Sequence, residues 1–579
     1  MAPITTAAAG PRGARGGLPA AGALAGALVL AWLLANPRTP DLAAQYYRVR
    51  LFGESGFAIW DEHWYAGHAL PGYSLLFPPL GSLLGVRLLG ALSALGSAAL
   101  FAGLLARVYG PAARWGAMWF AVAAVGDIWN GRLSFALGVT LACGAGLALL
   151  GRRTLLAAAL AALCAAASPV AGLLLGMAGL TVSLQRRSPR AVLALGLPAA
   201  LVVLALAVLF PEGGWEPFPL RSFAVAALVG VAFLAALPRG ERLLQTGAVV
   251  YLLACVLFVA IHSPVGSNVA RYAVLLAGPL LLCARGRARS RARAHAEGGG
   301  ASAGALAVTG AGGPARRGSR PPVRAEAAVR GLLPAAALSL MAVWVIWGPV
   351  RETLAVAGSP ATSAAYYLPV ERFVAGLREG PVRLEVPLTR SHWEADLLAP
   401  SVSLARGWEK QLETRYDDVL LRPGLTAGAY RAWLAREAVG YVALPDVPLD
   451  PSSSQEGRLI ASGLPYLKLV AVSAHWRIYR VLGARPLLSG PGRLARLGHD
   501  SFTIDARSAG SFLVRVRYTR YWALGGARGC VGEAPGGWTE VELDRAGAAT
   551  VEARFSLERA LGSGSGCRAR AAAALRTAR

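Results

Sequence analysis

The chain has 579 residues, 55% hydrophobic and only 16% charged, with a formal net charge of +26. Soluble domains carry about a quarter charged residues, so a wholly soluble fold is excluded. The arginines stand in short runs between long apolar stretches, as at Arg152-Arg153 and Arg186-Arg187. Such runs report membrane orientation rather than a nucleic-acid footprint, and nucleic acid is excluded as a partner.

The first apolar stretch, 17–36, follows Arg12 and Arg15 and is long for a cleaved leader, so it is predicted to be a retained membrane helix. Ten more follow at 85–106, 112–128, 133–150, 154–168, 170–184, 191–210, 222–237, 245–261, 272–284 and 331–349, about eleven spans in all. With the N-terminus inside, the arginine-rich turns all fall on the cytoplasmic face, which places the N-terminus in the cytoplasm and the C-terminal region outside it. The expected location is therefore the plasma (inner) membrane, multi-pass, with membrane lipid as a partner.

The segment 37–84 is the first outside loop and is too long for a simple helix connection. Asp41, Gln45 and Arg48 share one helical face, and Leu42, Tyr46 and Val49 share another. The pattern predicts an amphipathic helix lying in the membrane interface, with Asp41 at its start. The acidic pair Asp61-Glu62 and His63 follow Trp60. Residues 285–330 are Arg-, Ala- and Gly-rich, lack apolar periodicity, and are expected to be a disordered cytoplasmic loop.

Residues 1–350 thus form the predicted membrane domain. Beyond it the charge content normalises. Strand and helix patterns over 351–484 predict an α/β module, and alternation such as Phe512–Tyr518, with Val514 and Val516 on one face and Arg515 and Arg517 on the other, predicts a β-sandwich over 485–579. Both modules are expected outside the cytoplasm. Cys143, Cys164, Cys255 and Cys283 fall in apolar spans as small hydrophobes. Cys530 and Cys567 lie in the tail, where they are either a disulfide or two unpaired thiols. No cysteine/histidine spacing points to structural zinc.

Under this topology the unusual polar residues gather on the outer face: Asp41, Asp61, Glu62, His63, Asp127, Asn130, Arg132, His262, Asn268 and Arg271 among them. Polar groups at membrane helix ends often mark a site. Tyr518, Tyr521, Trp522 and Trp538 are candidates for sugar stacking or for a β-sandwich core.

An acid just after the first helix, a long first outer loop running through Trp60–Pro79, many further spans and an outer C-terminal β-rich region resemble the GT-C superfamily of integral-membrane glycosyltransferases, in its uncharacterised bacterial branch. The resemblance implies a polyprenyl-phosphate sugar donor and transfer to an extracytoplasmic glycan, lipid or protein acceptor in envelope assembly. It implies a catalytic carboxylate in the first loop, by position Asp41, with Asp61 and Glu62 as further candidates. Arg271, Asn268, Arg132, Asp127 and His63 are the candidates for substrate and phosphate binding. Many members carry paired acids where Asp41 stands alone, which leaves cofactor use open, with a divalent metal as the one candidate. The alternatives are a flippase or transporter of lipid-linked glycans, and a non-catalytic envelope scaffold with a glycan- or protein-binding tail.

Overall fold

The computed structural model describes residues 17–306, 324–562 and Cys567. The chain divides into two compact units. One comprises 1–36, 87–203 and 217–351, and the other 37–86, 204–216 and 352–579. Residues 37–86 therefore cluster with the C-terminal region.

The first unit is helical. It contains α1 (Gly17–Ala35); the elements α2 (Pro40–Ser55) and α3 (Phe77–Leu84) belong to the other unit. The helices then continue through α4 (Val86–Tyr109), α5 (Ala113–Trp129), α6 (Leu133–Leu150), α7 (Thr154–Ala167), α8 (Pro169–Arg186), α9 (Leu197–Leu209, entered through a π turn), α10 (Leu220–Ala236), α11 (Arg242–Ala260), α12 (Arg271–Leu306) and α13 (Arg324–Val356). Every predicted apolar segment is thus helical, but the count of about eleven spans is not reached on length and apolarity. Six helical stretches among the described residues are long and apolar enough to cross a membrane, seven if α1 and α2 are taken as one broken span. Leu201, Leu228, Leu253 and Val343 are each more than half exposed, a surface suited to lipid tails rather than water. Inside, small residues bring helices together: a Cβ on Gly116 of α5 would stand 2.6 Å from the Pro279 carbonyl of α12.

The expected disordered loop 285–330 is corrected at both ends, since residues 324–330 open α13 as helix. Residues 285–306 continue α12 as helix, and their first part, the Arg/Ala run 287–294, is rich in strong helix formers even without an apolar stripe. Residues 307–323 of that expected loop lie outside the described residues.

In the second unit, the short strands β1 (Trp60–Asp61) and β2 (His68–Ala69) pair antiparallel. After α14 (Ala364–Ala375) comes a mixed sheet of β3 (Arg383–Glu385), β4 (Ser403–Leu404), β5 (Val439–Pro445), β6 (Leu467–Val472) and β7 (Trp476–Val481), in the order β4-β3-β5-β7-β6. The strands β3, β4 and β5 run parallel to one another, whereas β7 and β6 are antiparallel. Its connections carry α15 (Glu394–Leu397), α16 (Lys410–Tyr416), α17 (Asp418–Leu421), α18 (Ala427–Arg436) and α19 (Ser454–Ala461). Two four-stranded antiparallel sheets follow, built from β8 (Leu488–Ser489), β9 (Gly492–Leu497), β10 (Ser501–Ala506), β11 (Gly510–Arg517), β12 (Trp522–Gly525), β13 (Gly529–Ala534), β14 (Trp538–Leu543) and β15 (Gly547–Ala553). Their interior takes alternate residues such as Phe512, Val514 and Val516, none exposed.

Candidate functional site

Helix α2 starts directly after α1, with Thr39 at its N-cap, Pro40 at the first position and Asp41 in the first turn. Proline with its fixed φ suits that position, and an anionic side chain there is favoured by the helix dipole. Asp41 is half-buried. The rest of the predicted polar face does not meet water. Gln45 is 1% and Arg48 5% exposed, so the polar face of the predicted amphipathic helix is packed against protein. Arg48 pairs with Glu409 at 2.6 Å and lies 3.8 Å from the Tyr73 ring centre, while the Gln45 amide donates to the Tyr73 hydroxyl. These partners lie up to 361 residues away, beyond any local pattern.

The hairpin around Asp61-Glu62 is the centre of this unit. Its turn passes through three consecutive left-handed residues, Tyr65, Ala66 and Gly67. At Gly67 a Cβ would come within 2.4 Å of the Trp60 ring, so only glycine fits. The hairpin's own groups reach out on every side. The Trp64 indole donates to the Ala395 carbonyl at 2.9 Å, and Tyr65 hydroxyl exchanges hydrogen bonds with the Glu409 backbone. The Ala69 amide donates to Glu212 at 2.7 Å. Arg517, expected on the outer face of its strand, instead donates through backbone and side chain to the carbonyls of Ala66 and Tyr65 and pairs with Glu437.

Asp61 is fully buried. Its carboxyl accepts from the Tyr47 hydroxyl at 3.0 Å and from the His63 amide at 3.1 Å. Burial outweighs these bonds and pushes its pKa up to about 8. Burial, and then His499, holds His63 down at about 4. Burial holds His68 at about 3, and its Nδ1 lies 3.0 Å from the Asp61 carbonyl oxygen. The group is therefore a neutral acid between neutral imidazoles at pH 7. Glu62, 1% exposed, accepts from Arg383 at 2.7 Å and from the Ser403 hydroxyl at 2.9 Å. Burial raises its pKa despite the guanidinium. Both acids are thus shielded from a substrate, whereas Asp41 is not sealed.

The remaining predicted residues lie in the first unit. Asp127, in the last turn of α5, is 4% exposed and stands 3.8 Å from Arg132, whose amide also caps its carbonyl at 3.0 Å. Arg271 opens α12, lies over the Phe135 ring and acts electrostatically on Asp127 together with Arg132. The buried Asn130 Oδ1 has no hydrogen-bond partner. Asn268 sits half-buried in the 3₁₀ turn Gly266–Ala270 that leads into Arg271. Asp127, Arg132 and Arg271 are thereby brought into one helix-end cluster.

In the tail, Cys530 and Cys567 are joined by a disulfide, with Cα atoms 5.0 Å apart. Among the described residues, the one group of ligand atoms close enough for a metal ion is this pair with Glu542, and the bridge consumes both sulfurs. Tyr521, Trp522 and Trp538 are buried at 3–7% exposure, as core rather than as a stacking surface. Sequence reasoning missed Tyr47, Arg383 and Glu409. Arg383 and Glu409 act through partners 321 and 361 residues away, and Tyr47 through Asp61, 14 residues on in another element.

No family model and no curated protein matches the chain. Among solved structures, the arabinofuranosyltransferase AftD from Mycobacteria overlaps at 15% identity and a TM-score of 0.45, covering 93% of this chain and 57% of AftD. The chain thus spans a little over half the length of that neighbour. ArnT from Cupriavidus metallidurans in the apo state overlaps at 14% identity and a TM-score of 0.42, covering 79% of this chain and 97% of ArnT. ArnT bound to undecaprenyl phosphate overlaps at 14% and 0.39.

Proposed function

We propose that this chain is a membrane glycosyltransferase that moves a sugar from a polyprenyl-phosphate donor to an extracytoplasmic glycan, lipid or protein acceptor. The observation that carries the reading is the state of the three candidate acids of the first loop, Asp41, Asp61 and Glu62. Asp61 and Glu62 are sealed in the protein, and Asp41 is left half-buried at a helix start immediately after the first apolar helix.

In this reading α1 and α4–α13 all span the plasma membrane, and the second unit lies outside the cytoplasm. The Cys530–Cys567 bridge supports that side, since disulfides persist in oxidising compartments. The Asp41 carboxylate takes the proton from the acceptor hydroxyl as its oxygen attacks the anomeric carbon. The bond from that carbon to the phosphate oxygen breaks, and polyprenyl phosphate leaves with the electron pair. Arg132 and Arg271 are the proposed recognition point for phosphate, which suits guanidinium geometry.

The test is purified protein mixed with labelled polyprenyl-phosphate sugars and an envelope extract as acceptor. Asp41→Asn should lower turnover by about 10²–10⁴-fold, the usual contribution of a general base. Wild-type protein that binds such donors without consuming them would support a flippase or scaffold and overturn the enzyme reading.

A further inference from the structure

The mixed sheet reverses its strand order about β3. From β3 the chain goes to β4 on one side and then crosses to β5 on the other, all three parallel. The crevice beyond the carboxyl ends at such a reversal is where open α/β sheets hold ligands. The loops after β3 and β5 are bound together there: the Arg390 amide donates to the Pro448 carbonyl and the Asp450 amide to the Leu388 carbonyl. The loop after β4 brings Trp408.

His392 lies between them, 1% exposed and in a left-handed backbone conformation with φ 56°. Such strain in a non-glycine residue concentrates at functional sites. Its ring stacks on Trp408 with centroids 3.5 Å apart. Its Nε2 is 3.5 Å from Asp450 Oδ2, and its Nδ1 is 3.9 Å from Glu394 Oε1 and has no hydrogen-bond partner. A buried imidazole nitrogen left in this state is costly. Glu394 is held by the Thr389 amide and hydroxyl at 2.9 and 2.6 Å. Asp450 uses Oδ1 for the Ser452 amide and hydroxyl, while its side chain stays about 25% exposed. Trp408 is half-buried, and Arg390 is exposed on the loop that carries His392.

We propose that His392, Trp408 and Asp450, at the carboxyl ends of β3, β4 and β5, form a binding site for a neutral sugar. An indole plate with a carboxylate acceptor beside it suits the C–H face and the hydroxyls of a pyranose or furanose. The two carboxylates disfavour a phosphate or carboxylate ligand. A metal ion is not supported, because these side chains do not converge to ligand distance. The choice of a sugar over another neutral polyol rests on the sugar-transfer reading. The site itself does not involve Asp41.

The experiment is saturation-transfer NMR on the full chain in detergent micelles, with arabinose, mannose, galactose and N-acetylglucosamine offered singly at millimolar concentration. At least one should receive saturation. Asp450→Asn, which keeps the turn-capping side chain oxygen, and Trp408→Ala should each lower the signal at least fivefold, with unchanged thermal unfolding of the Asn variant as the folding control. Binding with no donor turnover in the wild type would defeat the enzyme reading and leave this site standing. No saturation of any of the four sugars, or an equal signal in Asp450→Asn, would overturn the site.

Discussion

Replacing Arg383 by Met probes the join between the first-loop hairpin and the C-terminal sheets. Arg383 is 0% exposed and donates to Glu62 at 2.7 Å, to Ser403 at 3.2 Å, and to the carbonyls of Glu437 and Arg515 at 2.7 and 2.8 Å. Losing one partner of a buried ion pair costs about 3–5 kcal/mol, and each orphaned carbonyl adds roughly 1 kcal/mol or more. Glu62 can escape part of this by taking a proton, since burial already favours its neutral form. The expected loss is about 5 kcal/mol. For a unit of this size it lowers the midpoint of thermal unfolding by roughly 10–20 °C. The buried tryptophans Trp64, Trp433 and Trp476 report the transition by fluorescence in micelles. The double variant Glu62→Gln with Arg383→Met should be less damaged than the sum of the two singles, by about 0.5–3 kcal/mol. A midpoint within about 3 °C of wild type would refute the reasoning, because it would mean that the guanidinium contributes nothing net where it is buried.

The Asp61 cluster gives a stability profile whose sign changes. Between pH 6.5 and 8, Asp61 holds a proton that the unfolded chain has lost, so stability falls as pH rises; from pH 6.5 down to about 4, His63 and His68 refuse protons that the unfolded chain accepts, and their two outweigh Asp61, so stability falls as pH drops. Asp61→Asn should flatten the upper limb, measured by denaturant unfolding at each pH, and an unchanged limb would refute the assignment. Gly67→Ala should destabilise by about 1–3 kcal/mol through collision with Trp60 and a left-handed φ, read as a lowered denaturation midpoint. Cys530→Ser should cost up to about 4 kcal/mol for a loop of 37 residues. In wild type, maleimide should label Cys530 and Cys567 only after reduction, which peptide mass spectrometry checks.

The helices were legible because hydropathy is a local property. A run such as 133–150 needs no distant partner to declare itself, and it is helix over the same residues. The extension of α12 through 285–306 was missed because its evidence, in the run 287–294, lies in Arg and Ala propensity, not in periodicity. Asp41 was visible from its position after an apolar run. The burial of Gln45, Arg48, Asp61 and Glu62 was not visible, because their partners Tyr73, Glu409, Tyr47 and Arg383 are joined to them only by tertiary structure. The strand Phe512–Arg517 shows the same limit. Its alternation correctly places Val514 and Val516 inside, but gives no sign that Arg517 is covered by the first-loop hairpin.

The hairpin at Trp60–Ala69 also sets a timetable. Glu62 leaves the ribosome 321 residues before Arg383, and at about 5–20 residues per second that is a wait of roughly 16–64 s. Tyr65 waits longer, since Arg517 is 452 residues away. Throughout that interval Trp60, Trp64 and Tyr65 have no fold to enter. Biogenesis therefore depends on something keeping this early segment from aggregating, and a chain cut short after the last apolar helix would leave it permanently unpaired and open to proteolysis.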